Sequence, residues 1–129
     1  MGDTPMLNGM LTLALSAISV AQAAAAGPAQ SVDTAKGEIL VNGAGMSLYV
    51  FDNDTALGSN CIGRCATHWS PLTATTSDRP GGGWGIITRD DGSLQWTYKS
   101  KPLYTWTADK KPGDIYGDGV NDAWHLAKP

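Results

Sequence analysis

Laid on itself with a shift of 55 residues, the sequence repeats: Leu48 meets Leu103, Tyr49 meets Tyr104, Phe51 meets Trp106 and Asp54 meets Asp109. Upstream, Gly37 meets Gly92, Ile39 meets Leu94 and Val41 meets Trp96; downstream, Gly58 meets Gly113 and Trp69 meets Trp124. Chance motifs do not hold one register over such a stretch, so the chain reads as two copies of one unit. The copies run over about residues 29–72 and 84–127, joined by a Gly/Pro-rich linker at 73–83.

Local signals make each unit a β structure. "WGIITRDDGSLQWTY" is two runs rich in β-branched and aromatic residues around Asp90-Asp91-Gly92, a turn that supplies positive φ at glycine. "KSKPLYTW" adds a third strand after a tight polar turn, with Pro102 where a strand start or edge accepts proline. The first copy echoes this, with turns at Lys36-Gly37 and Gly43-Ala44-Gly45. Each unit is thus read as a three-stranded meander followed by an irregular segment and a Trp-bearing terminal strand or turn.

By the two-residue period of a strand, Leu48, Val50 and Asp52 face one way and Tyr49 and Phe51 the other. Leu103, Thr105 and Thr107 likewise oppose Tyr104 and Trp106. The expected fold is all-β: two tandem pseudo-symmetric units of three to four antiparallel strands, packed as one small domain on their aromatic faces. Sixteen glycines and seven prolines in 129 residues, with few charges, agree with short strands and many turns.

The N-terminal segment reads differently. An apolar run from Met10 to Val20 leads into Ala-x-Ala sites at Ala21–Ala23 and Ala24–Ala26, the layout of a removable secretory signal peptide over residues 1–26. The run is too short and too rich in Ser, Thr and Ala for a membrane span of roughly 20 residues. Asp3 and the lack of Lys or Arg depart from the usual positive start, which points to initiation at Met6 or Met10 or to an altered start; a structural N-terminal helix is the alternative. No cysteine lies near the cleavage region to accept a lipid. The mature chain, 27–129, is therefore expected to be a soluble periplasmic or secreted domain.

The net charge of −3 and the scattered basic residues leave no footprint for a nucleic-acid backbone. The abundance of Trp and Tyr over Phe suits either a small β core or a ligand or partner surface.

Tyr49, Phe51 and Asp54, with Tyr104, Trp106 and Asp109, fit the pattern Tyr-x-(Phe/Trp/Tyr)-x-x-Asp twice. In this motif, and in "CIGRCATHWSPL", "TRDDGSLQWTYKSKPLY" and "DKKPGDIYGDGVNDAWHLAKP", the chain resembles the bacterial secreted-repeat family, many of whose members are lipoproteins. The resemblance covers nearly the whole mature chain. It implies an exported protein but no activity, and the missing lipidation cysteine sets this chain apart from the lipoprotein form.

Cys61 and Cys65 have no counterparts in the second copy, where Tyr116 and Val120 stand. As an even pair in an exported chain they are read as a disulfide pinning the loop. The alternative adds His68, as Cys-x3-Cys-x2-His, with Met46 as a soft donor; that set suits copper or zinc. "DIYGDGVND" has the Asp and Gly density of a calcium loop, with Asp114, Asp118 and Gly119 in register. Tyr116 and His125 stand where ligands belong, so a glycine-dictated turn is preferred. His125, beside Trp124, is read as a packed or surface residue.

Asp54 and Asp109 are expected to cap turns and to accept from the buried Tyr49 and Tyr104 phenols. No nucleophile, base or phosphate loop accompanies them. The sequence therefore points to a non-enzymatic binding or structural module of the cell envelope without a cofactor, whose partner is an envelope protein or glycan. The alternative is a metal or redox protein using Cys61, Cys65 and His68.

Overall fold

The computed structural model describes residues 27–129; the signal-peptide reading of residues 1–26 lies outside them. The first copy contains strands β1 (Ala29–Thr34), β2 (Gly37–Asn42) and β3 (Tyr49–Phe51), a single helical turn α1 (Arg64–His68), and β4 (Trp69–Pro71). After β5 (Thr73–Ala74), the second copy contains β6 (Trp84–Thr88), β7 (Leu94–Tyr98), β8 (Lys101–Pro102) and β9 (Tyr104–Trp106). A 3-10 turn (Val120–Asp122) and β10 (Trp124–Leu126) complete it. The protein is all-β, with antiparallel sheets built from two tandem units.

Three sheets share the strands: β1-β2, β5-β7-β6 with β8 on β7, and a central sheet ordered β10-β3-β9-β4. The meander expected within each unit extends only as far as Leu48 and Leu103. Ser47 bridges to Val41 and Pro102 pairs with Thr97, Leu48 and Leu103 still donate back to their own hairpins, and the chain then joins the central sheet. There β3 lies against β9 with Tyr49 opposite Tyr104, so a pseudo-twofold axis passes between the two tyrosines. The Trp-bearing strands cross over: β4 of the first copy pairs with β9 of the second, and β10 of the second with β3 of the first. Neither unit completes this sheet alone.

Strand alternation sorts the core into two clusters. Tyr49, Tyr104, Trp69 and Trp124 pack with Ile39, Val41, Cys61 and Leu126, while Leu48 and Leu103 pack with Leu40 and Ala127 on the opposite face. Phe51 and Trp106 join the first cluster and Val50 the second, as the two-residue period requires.

The ungapped alignment of the copies is corrected in their hairpins. Leu48 N–H donates to Leu40 O at 3.0 Å and Leu103 N–H to Trp96 O at 3.1 Å, so Trp96 matches Leu40 and not Val41. Leu40 N–H to Ala127 O and Trp96 N–H to Leu72 O repeat the same correspondence. The cause is a pair of compensating turn lengths. Asp90-Asp91-Gly92 stands where Ala35-Lys36 closes the first hairpin, and Lys99-Ser100 stands where Gly43-Ala44-Gly45 closes the next. Lys99 and Ser100 both adopt positive φ (49° and 68°), the left-handed pair that a two-residue hairpin demands. Between these turns the counterpart of Ile39 is Gln95.

Candidate functional site

The motif residues bond across the pseudo-twofold. Tyr49 donates its phenol to Asp109 Oδ2 and Tyr104 donates to Asp54 Oδ2, each at 2.6 Å. Each tyrosine thus uses the aspartate of the other copy. The second oxygen of each carboxylate holds the loop beyond it: Asp54 Oδ1 accepts from Asn60 N–H, and Asp109 Oδ1 from Tyr116 N–H. One motif therefore ties a core ring of one repeat to a turn of the other, in both directions.

Burial, with the hydrogen bond to Asp109 adding to it, pushes the Tyr49 phenol well above the usual tyrosine range. Burial and Asp54 do the same to Tyr104. Asp54 is itself raised, because burial outweighs the stabilising Tyr104 and Asn60 bonds and the nearby Arg89 charge. Space is tight on the Tyr49 side, where Gly117 N–H donates to the phenol at 3.1 Å. A Cβ at Gly117 would lie 2.8 Å from Tyr49 Cζ and 2.9 Å from Trp69 Cη2.

Above the tyrosines, four rings stack in a ladder: Phe51 on Trp124 (4.2 Å between centroids), Trp124 on Trp69 (3.7 Å) and Trp69 on Trp106 (4.1 Å). Phe51 corresponds to Trp106 and Trp69 to Trp124, so the ladder is palindromic about the axis. Tyr49 and Tyr104 meet it edge-on, at Trp69 and Trp124 respectively. The sequence showed these rings as repeated positions, but their contact depends on the crossed strands, which no local pattern encodes.

All four rings line a surface cleft of about 540 Å³. One wall is α1, through Arg64, Cys65 and His68; the other is the 3-10 turn with the residue after it, through Val120, Asn121 and Ala123. These walls are the same position in the two copies, so the cleft also sits on the axis, with different chemistry on its two sides. Asn121 and Asp122 hold positive φ (54° and 56°), a left-handed pair at the edge of the cleft.

Cys61 and Cys65 are bonded, with Cα atoms 5.2 Å apart. In this state neither sulfur is a thiolate, so a copper or zinc set of Cys61, Cys65 and His68 belongs to the reduced chain alone. Among the described residues no group of three His, Cys, Asp or Glu side chains is placed to hold a metal. The residues of the calcium-like loop are engaged elsewhere. Asp114 Oδ2 accepts from Lys110 N–H and Lys111 N–H, while Asp118 takes Leu126 N–H and Lys36 Nζ. His125 is exposed and meets Asp52 at 2.8 Å.

Arg89 and Gln95, which the hairpin reading passed over, brace the disulfide loop. Arg89 is 7% exposed and donates to Ser59 Oγ (2.9 Å), Gln95 Oε1 (2.8 Å) and Cys61 O (2.6 Å). Gln95, fully buried, donates to Leu103 O. In the first copy Thr34 and Ile39 occupy these positions. The available signal was the polar pair itself, present in one copy only, which the one-residue slip between the hairpins concealed.

An antiparallel, interlocked two-repeat domain with an aromatic cleft on its pseudo-twofold defines a duplicated all-β repeat protein. A family model described as a secreted repeat of unknown function matches residues 30–73 and again 85–128, and the chain belongs to that family. No curated protein and no solved structure matches it. No helix among the described residues is long and apolar enough to cross a membrane.

Proposed function

We propose that the protein is an exported, non-enzymatic binding module of the cell envelope, periplasmic or secreted, that receives an envelope protein or glycan in the aromatic cleft. The observation that carries this is the cleft itself. Its volume falls within the ~300–1,000 Å³ of small-molecule sites, its floor is aromatic and its rim is polar. On this reading the cleft residues supply recognition, with Cys65 on its wall bonded to Cys61. Membership of a secreted family supports the location.

The test is retention of the purified protein on isolated cell envelopes, compared with a His68→Trp variant. His68 is exposed on the cleft wall, so the larger ring obstructs the opening without entering the core. Retention should fall at least tenfold; unchanged retention with an intact fold would defeat the reading.

A further inference from the structure

The polar side chains lining the cleft are Asn53, Arg64, His68 and Asn121, set around four stacked rings. Trp69 and Trp124, at the centre of the stack, are only 4% and 3% exposed and each is covered on both faces by a neighbouring ring, so a guest meets the edge of the ladder there.

The cation on the wall is unspent. Arg79 donates to Thr76 O and Asp78 O, and Arg89 to three internal acceptors, but the Arg64 guanidinium makes no hydrogen bond or ion pair among the described residues. Among the described residues no carboxylate lines the cleft. The aromatic floor has the same sign, because ring edges carry the positive part of the ring quadrupole. An anion with several oxygen acceptors is the complementary guest.

The stack also excludes flat guests from between its rings. Centroid spacings of 3.7 to 4.2 Å along the ladder leave no slot for another ring to enter. A ligand must lie along the ladder beside Arg64 and the two asparagine amides, which donate and accept, and this suits a sugar with ring and hydroxyl oxygens better than an aromatic acid. Resting on the binding reading above, we infer that the cleft takes an acidic sugar residue of an envelope glycan. Arg64 holds its carboxylate, and Asn53 and Asn121 hold its oxygens.

Calorimetric titration of the oxidised protein with an oligogalacturonate hexasaccharide, and with the same hexasaccharide reduced at its carboxyl groups, tests this. The acidic sugar should bind, and the reduced sugar should bind at least about tenfold more weakly, the worth of a charge-assisted hydrogen bond. Arg64→Gln should cause a similar loss, Arg64→Lys should recover part of it, and Arg79→Gln should change nothing. Arg64 is exposed, so these variants leave the core intact. Equal binding of both sugars, indifference to Arg64→Gln, or binding of benzoate in place of either sugar overturns the inference and leaves the binding reading standing. If neither sugar binds, the acidic-glycan assignment falls, and unchanged envelope retention by His68→Trp then removes the binding reading as well.

Discussion

The segment between β3 and β4 and its counterpart between β9 and β10 occupy equivalent places and are held by different means. In the first, the Cys61–Cys65 bond and Arg89 grip the chain around Cys61. In the second, Tyr116 and Val120 replace the cysteines, and carboxylates do the holding: Asp109 on Tyr116 N–H, Asp114 on Lys110 and Lys111 N–H, and Asp118 on Leu126 N–H. The shared part is the motif aspartate and the tyrosine across the axis. Duplication therefore preserved the core contact and released the loop beyond it, so that one cleft wall acquired Arg64 and His68 and the other Asn121.

The strongest way to break the comparison is at the ladder, where the copies should be equal. Trp69→Ala and Trp124→Ala should each destabilise by about 3–5 kcal/mol, and by similar amounts, in urea denaturation. A difference of more than about 2 kcal/mol would mean that the axis does not distribute the packing evenly. Next comes the covalent tie, which only the first loop has. Replacing Cys61 and Cys65 together by Ala should cost about 2 kcal/mol from the loop-entropy estimate and lower the protease resistance of α1. Chemical reduction should do the same, while backbone amide exchange in the second loop should hardly change.

The crossed motif bonds come third. Asp54→Asn and Asp109→Asn should each cost about 1.5–3 kcal/mol, the range for a hydrogen bond to a charged group. Their distinguishing sign is spectroscopic. Native protein should keep two phenols protonated above the usual tyrosine range, and each variant should release the tyrosine of the other repeat, Tyr104 for Asp54 and Tyr49 for Asp109. Release of the tyrosine within the same repeat would refute the crossed pairing.

The smallest effect separates the loops by acid. Asp54 has a raised folded pKa, so its contribution to stability is complete below the ordinary carboxylate range and is lost as pH rises through the folded value. Asp114 is lowered chiefly by the Lys110 N–H bond. Asp118 is lowered because Lys36 and Leu126 N–H outweigh its burial. Both therefore stabilise above the ordinary range and lose that as pH falls through their folded values. Urea midpoints followed from pH 6 downward should fall more steeply for Asp54→Asn than for the parent, and less steeply for Asp118→Asn.

Much of the fold was legible because strand alternation and duplication are both local or periodic signals. The opposed faces of Leu48 and Tyr49, and the need of each buried phenol for an aspartate, followed from them. The identity of that aspartate did not, since nothing in "SLYVFDND" distinguishes its own Asp54 from Asp109 in the other copy. The central sheet was hidden for the same reason: β4 and β10 exchange partners, and pairing between distant segments leaves no periodic trace. Arg89 and Gln95 were obscured by two turn-length changes that cancel. The cleft is the product of the crossing, so its donors were visible as residues but not as neighbours.

The exchange of β4 and β10 also sets an order of events. β3 has no central-sheet partner until Tyr104 and Trp124 exist. Contacts so distant in sequence close slowly, so the middle sheet forms late. For a member of a secreted family, that delay keeps the chain threadable during the interval in which it must be exported.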